Sequence, residues 1–231
     1  MAPDPEIPMT RALRLDHPTR QAQILETAAR VFCEKGYEKA SMGDIALAMK
    51  MTKAGVYHHI DSKEELLAAI ITYGMDIFER QVLDRVTTIR DPLERLRATL
   101  RGHLLLVLRD RTKEVTVILH ESSALPAAAR ATVNARKKRY IRFLEQTIRE
   151  LVMRRIARRV DPSIAAFALL GMVNWTYQWY RPGGRLSEVD LAEAMTDFYL
   201  NGLLAAPAKS GAKPKRALAP KRGRGDRGPA A

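Results

Sequence analysis

Thr52-Lys53-Ala54-Gly55 sets a hydroxyl, a long cation and two small residues in four consecutive positions. That combination suits hydrogen bonding at close range to a nucleic-acid base edge. Lys53 has the reach for guanine O6 or N7, Thr52 can meet a phosphate or a thymine methyl, and Ala54 and Gly55 keep the approach slim. Tyr57 and His58 follow a turn later, spaced for flanking phosphates. Lys63 stands in the first turn of the next predicted helix, where free backbone N–H groups and the helix dipole favour an anion. The competing role for these side chains is structural, with Tyr57 packed in a core and Lys63 a solvated cap residue.

Such a strip works only at the start of a helix that the fold can press into a groove, and the flanking sequence predicts one. A first helix from about Thr19 to Lys35 puts Ile24, Leu25, Ala28, Val31 and Phe32 on one face and stops at Gly36. Cys33 lies beside that face and is expected in or near the core. Ser41 with Asp44 three residues on is a capping pattern for a short helix reaching about Met49. After a break at Met51 and Thr52, Thr52 caps a third helix from Lys53 to about His59. Ser62-Lys63-Glu64-Glu65 predicts a full capping box for a fourth helix bearing Leu66, Leu67, Ile70 and Ile71. Two short helices joined by a tight turn in a compact helical unit form the pattern of a helix-turn-helix DNA reader.

Bulk composition agrees. The 231 residues carry 39 Lys and Arg against 26 Asp and Glu, a formal +13, so a polyanionic partner is expected. About half of that excess, +7, sits in residues 207–231, which are rich in Pro, Gly, Lys and Arg. This tail and residues 1–18, with four prolines, are predicted to be disordered, and the tail can bind phosphates without sequence preference. The single cysteine excludes an intrachain disulfide and any multi-cysteine metal centre. The N-terminus lacks an apolar core of signal-peptide length, and the longest apolar run, Ile164 to Val173, is too short for a bilayer. The prediction is a cytoplasmic protein with no membrane partner.

Gln23 to Phe32, Lys35-Gly36-Tyr37, Ser41 to Ala46, Thr52 to Ile60 and Ser62 to Leu67 closely resemble the N-terminal domain of TetR-type (TetR/AcrR) transcriptional regulators over about residues 19–70. The resemblance implies an all-α homodimer of about nine helices per subunit. Its N-terminal domain would bind DNA, and its C-terminal domain would dimerise and bind a small effector that releases the operator. Carried over by position, Ser41, Thr52, Lys53, Gly55, Tyr57, His58 and Lys63 fall where that family touches DNA. His58-His59-Ile60 departs mildly from its commonest pattern. The expected organisation is an arm at 1–18, a helix-turn-helix domain at 19–66, an effector and dimerisation domain at 67–206, and the tail at 207–231.

In the second half, helices are predicted from Asp91-Pro92, from Pro126 to about Arg155, from Asp161-Pro162 through Tyr180, and from about Ser187 to Leu204, with a further segment around Lys113 to Glu121. The helix from Ser163 is apolar on nearly every side, so it must be buried on more than one face. Paired with Leu191, Ala194, Met195, Phe198 and Leu203 of the last helix, it suits a four-helix interface between two subunits. Trp175, Tyr177 and Trp179 serve either packing or a wall for a planar or acyl ligand, with Asn174 offering a polar contact. Arg136, Lys137, Lys138, Arg139 and Arg142 wrap most of a helix, so some must point inward, although the ordinary role of such a charge run is a solvated face. With Tyr140, Arg136 and Arg139 are candidates for an anionic ligand with an apolar tail.

The segment from Gly171 to Ser187 is similar to one in TetR-type repressors of fatty-acid, phenylacetate and steroid catabolism that respond to acyl-CoA thioesters. The alternative effector class is a multidrug or hydrophobic compound regulating efflux. His103, His120 and Glu121 lack metal-ligand spacing and are expected as ordinary histidines and a carboxylate; no metal or cofactor is predicted. No nucleophile elbow, phosphate-binding loop or catalytic carboxylate pair stands out, which weighs against an enzyme on a helix-turn-helix scaffold. A tail-driven DNA-coating protein would leave the aromatic second half unexplained.

Overall fold

The computed structural model describes residues 20–109, 117–118 and 121–205, and every element of three or more residues within them is helical. Four helices build the N-terminal unit: α1 (Arg20–Lys35), α2 (Met42–Ala48), α3 (Lys53–Tyr57) and α4 (Lys63–Phe78). Helix α4 runs on without a break into a π-helical turn, Glu79–Leu83, and a last α-turn, Asp84–Val86. Then follow α5 (Pro92–Leu108), a 3-10 turn (Ser122–Ala124), α6 (Ala127–Met153), α7 (Pro162–Trp179) and α8 (Glu188–Leu203). The fold is all-α, as the sequence predicts. Residues 1–18, the tail, His120 and most of 113–121 lie outside the described residues.

Local chemistry sets the boundaries. Gly36 ends α1 at φ +78°, its N–H on Phe32 O at 2.9 Å. Asp91 and Asp161 each accept two backbone N–H bonds ahead of Pro92 and Pro162, fixing the starts of α5 and α7. The box predicted at Ser62 is only half made. Ser62 Oγ accepts from Glu65 N–H at 3.0 Å, but the Glu65 carboxylate bonds Asp61 N–H at 2.8 Å instead of reaching back to Ser62.

Two apolar cores form. The first gathers Ile24, Phe32, Ile45, Val56, Leu66 and Ile70, and it also takes in Val117, Leu125 and Val133 from the second half of the chain. The second is built from α5 to α8 around Leu100, Leu104, Leu144, Ile148, Leu169 and Leu200. Helix α4 serves both ends, because Leu66 to Met75 pack in the first core while Phe78 lies against the second.

Two placements correct the sequence reading. Cys33 is exposed: it falls on the outer side of α1, past the stripe that buries Phe32. On α8, Leu191 and Leu203 turn into their own subunit's core, whereas Ala194 and Phe198 face outward, Phe198 at 78% exposure. Helix α7 buries Ala165, Ala166, Leu169, Val173 and Thr176, and leaves Ile164, Phe167, Trp175 and Trp179 exposed. The single chain thus covers one face of this apolar helix and leaves the other bare. Among the described residues, no helix is long and apolar enough to cross a membrane.

Candidate functional site

The reading strip sits on α3, and its shape is made by three caps. Ser41 closes a complete capping box on α2, its Oγ accepting Asp44 N–H at 3.1 Å while its own N–H and O–H are donated to the Asp44 carboxylate at 2.8 and 2.7 Å. The hydrogen bond from Lys35 at 2.5 Å, then those from Ser41, hold the Asp44 carboxyl well below the usual carboxylate range. At the other end, α2 stops in a Schellman motif: Met51 N–H reaches Ala46 O at 2.9 Å and Lys50 N–H reaches Leu47 O at 3.1 Å. Lys50 supplies the left-handed residue at φ +53°. Thr52 Oγ1 then accepts Gly55 N–H at 3.0 Å and opens α3 only a few residues later.

Gly55 sits in close quarters: a Cβ there would stand 3.2 Å from Thr52 Oγ1 and 3.3 Å from the Met51 methyl, a tight fit that asks the cap or the methionine to give by a few tenths of an ångström. Lys53, Ala54, Tyr57 and His58 are exposed, so the strip is open to a groove. Lys53 folds back over the Tyr57 ring, its ammonium 5.8 Å from the centroid, and must extend to reach a base. Thr52 is exposed too, and its Oγ1 acts in the cap as an acceptor. Ser41 Oγ has already given its proton to Asp44, so a Ser41–phosphate bond would cost that contact. Lys63 donates to Glu38 O at 3.2 Å and lies 4.3 Å from the Tyr37 ring, which leaves further N–H groups for DNA.

Toward the C-terminal end of α4 lies a second site. A cavity of about 210 Å³ opens between α4, its π turn, α5, α6 and α7, lined largely by apolar side chains such as Met75, Phe78, Leu83, Leu106, Ile141 and Leu170. Its polar groups are Glu79, His103, Arg136, Lys137, Tyr140 and Asn174. His103 Nδ1 and the Tyr140 hydroxyl share a hydrogen bond of 3.1 Å, with Phe78 packed against both rings. Burial pulls the His103 pKa down to about 4 and pushes the Tyr140 phenol far up, so both are neutral lining groups in this pocket.

Cations mark one edge. Arg136, its side chain only 16% exposed, donates to Glu79 at 3.0 Å and Asp76 at 2.7 Å, and Arg139 bonds the same Glu79. Burial raises the Glu79 carboxyl, but the hydrogen bonds and charges of Arg136, then Arg139, outweigh it and hold Glu79 below its ordinary range. Lys137 reaches Ile118 O at 3.1 Å and Ser122 Oγ at 2.9 Å, and burial lowers its ammonium.

Of the side chains singled out for an effector, Arg136, Tyr140 and Asn174 line this cavity. Arg139 is outside it, exposed beside Glu79. Trp175 and Trp179 are not brought to it; they lie on the bare face of α7. Tyr177 packs against the second core and accepts from the Gln178 amide at 2.7 Å. Lys138 and Arg142 point to solvent. The sequence reading missed Asp76, Glu79 and the apolar wall from α4 and α5. An Asp-x-x-Glu pair on an apolar helix, with a basic run elsewhere in the chain, was the available signal; the π turn that carries Glu79 left none.

Residues 24–70 match the family model "Bacterial regulatory proteins, tetR family", and residues 90–203 match "Tetracyclin repressor-like, C-terminal domain". Among solved structures, AibR in complex with isovaleryl coenzyme A and operator DNA is 51% identical, covering 78% of this chain and 97% of that one at a TM-score of 0.73. The TetR family regulator PfmR from Thermus thermophilus is 32% identical over 78% of this chain and 97% of that one, at 0.70. The transcriptional repressor KstR2 of Mycobacterium tuberculosis is 25% identical over 191 residues, 80% of this chain and 93% of its own. The chain therefore belongs to the TetR family of dimeric, ligand-responsive, DNA-binding transcriptional regulators, which are not enzymes.

Proposed function

We propose that this protein is a repressor that binds a palindromic operator as a homodimer and is released by a short, branched acyl-CoA thioester. The observation that carries the reading is the cavity: small, apolar, edged by cations, and walled by the same helix that leaves the DNA-reading unit. Its apolar wall of Met75, Phe78, Leu83, Leu106, Ile141 and Leu170 suits an acyl chain, and the cations at its edge suit the polar end of a thioester. The likeness to AibR, solved with isovaleryl coenzyme A, supports the same class.

DNA contacts are assigned to Thr52, Lys53, Ala54, Gly55, Tyr57, His58 and Lys63, with Ser41 acting first as a cap. The dimer is assigned to the bare faces of α7 and α8, where Ile164, Phe167, Trp175, Trp179 and Phe198 would leave water together. Two copies related by a two-fold axis present two α3 helices to two half-sites.

The effector acts through Arg136. An acyl carbonyl or phosphate at the cavity edge competes with Asp76 and Glu79 for its guanidinium, loosening α6 from α4 at the π turn. Helix α4 then shifts and the spacing of the two α3 helices changes, by as much as the ligand's affinities for the two spacings differ. Titrating the protein–operator complex with isovaleryl-CoA, a long-chain acyl-CoA and phenylacetyl-CoA tests this. Release by isovaleryl-CoA at the lowest concentration is expected. Release by none of them, while a hydrophobic drug-like compound does release it, overturns the effector class in favour of an efflux regulator.

A further inference from the structure

Lys137 lines the cavity and the proposed mechanism leaves it unused, and its setting is unusual for a lysine. Its side chain is half-buried at the cavity wall, whereas Lys138 and Arg142 on the same helix are exposed. Its partners are the Ile118 carbonyl at 3.1 Å and Ser122 Oγ at 2.9 Å, and no carboxylate stands within ion-pair distance among the described residues. Partial burial with no ion pair among the described residues lowers the Lys137 ammonium, so its proton is lost more readily than that of an exposed lysine. The two acceptors orient the nitrogen. Once the ammonium has lost a proton, the amine has two N–H groups and one lone pair; with both N–H groups donated to Ile118 O and Ser122 Oγ, the lone pair is left on the side away from them. Ser122 is itself fixed, because its hydroxyl is donated to the same Ile118 carbonyl. Partial desolvation and an oriented nitrogen are what prepare a nucleophilic lysine.

From this geometry we infer that Lys137 is an acylation site, at which the Nζ attacks the carbonyl carbon of a thioester bound in the cavity and keeps the acyl group as an amide. The inference rests on the acyl thioester reading above. In the step the N–C bond forms, the C–S bond breaks, and coenzyme A leaves as its thiol with a proton taken from the attacking nitrogen. No redox partner or further reactant is needed. The product has no charge at Nζ and one N–H fewer, so it cannot hold both Ile118 O and Ser122 Oγ, and the acyl chain stays in the chamber beside Met75 and Leu170. Reversible release of DNA by a thioester would thereby pass into a lasting released state that outlives the free ligand.

The test is to incubate the full-length protein with isovaleryl-CoA, measure intact mass and free thiol, and map the acylated peptides. Lys138, exposed on the next residue of α6, is the internal reference. Acylation of Lys137 at least about tenfold above Lys138, with equal release of thiol, is expected. So is operator affinity that stays low after free thioester is removed by gel filtration, in proportion to the acylated fraction. A parallel incubation uses isovaleryl-N-acetylcysteamine, which carries the same thioester without the nucleotide. Labelling of Lys137 by this compound alone sustains the nucleophile while overturning recognition of coenzyme A. Binding and fully reversible release of operator by isovaleryl-CoA, with Lys137 unlabelled, overturns the acylation and leaves the effector reading standing. Labelling of Lys137 no greater than that of Lys138 by either thioester overturns the inference outright. Lys137→Arg, which keeps a cation but offers no amine at this position, is expected to lose the adduct and to recover operator binding after gel filtration.

Discussion

The DNA-reading end and the effector chamber are held together in opposite ways. Around α2, α3 and α4, the capping groups bond partners three or four residues away, Ser41 with Asp44, Thr52 with Gly55, Ser62 with Glu65 and Glu65 with Asp61, while Lys35 to Asp44 and Lys63 to Glu38 O are longer ties within the same unit. Around the chamber the polar groups bond across the chain, Arg136 to Asp76 over 60 residues, Arg136 to Glu79 over 57, and His103 to Tyr140 over 37. Local caps keep their geometry whatever the rest of the protein does, so the strip can be carried as a rigid unit. Ion pairs between α4 and α6 have no such local support and break when those helices separate. A regulator needs both: a reader that does not deform, and a joint that does.

The largest expected effect tests the packing on which the chamber rests. Leu104→Ala, in the middle of the second core, should lower stability by about 2–5 kcal/mol in urea unfolding. A loss well under that range would mean the bundle is not packed as described. On the reading side, Lys53→Ala should reduce discrimination between operator and random DNA by about 1–3 kcal/mol by fluorescence anisotropy. Equal weakening on both DNAs would reassign Lys53 to the backbone.

At the joint, Arg136→Met leaves Asp76 and Glu79 without their guanidinium. Stability should fall by about 1–2 kcal/mol, less than for a fully buried pair because both carboxylates remain partly hydrated. Acid unfolding sharpens the comparison. The Glu79 carboxyl is lowered in the folded protein, so its contribution is present above the ordinary carboxylate value of 4.5 and is lost as pH falls through the depressed folded value. Arg136→Met should lose that component of the acid transition; an unchanged pH profile would show that the pair contributes nothing.

Smaller effects belong to the caps. Thr52→Ala removes the acceptor for Gly55 N–H and should cost about 1 kcal/mol without altering effector binding. Lys50→Gly relieves a left-handed residue at the turn before α3, and a gain of up to about 1 kcal/mol in urea unfolding is expected. Destabilisation there would mean that the Lys50 side chain makes a contact worth more than the strain.

How legible each part was follows from the same contrast. The four N-terminal helices, their caps and the strip from Thr52 to His58 were readable, because residue type and short spacing fix them. Even so, the Ser62 box failed in its second half, since Asp61 N–H captured Glu65 first. Of the effector candidates chosen by residue type, Arg136, Tyr140 and Asn174 line the cavity, whereas Trp175 and Trp179 lie on the bare face of α7. Their place on α7 depends on which side of that helix meets α5 and α6, and a helix apolar on nearly every side does not say.

By itself, then, the sequence determined an all-helical chain, the start of each long helix, and a basic, slender strip suited to a DNA groove. These depend on backbone groups finding partners within one turn. Only the tertiary structure decided that Asp76 and Glu79 meet Arg136, that Lys137 turns inward while Lys138 turns out, and that a 210 Å³ chamber opens beside α4. Those outcomes depend on how helices rotate and cross when their apolar faces compete for the same interior, and no spacing along the chain encodes that balance.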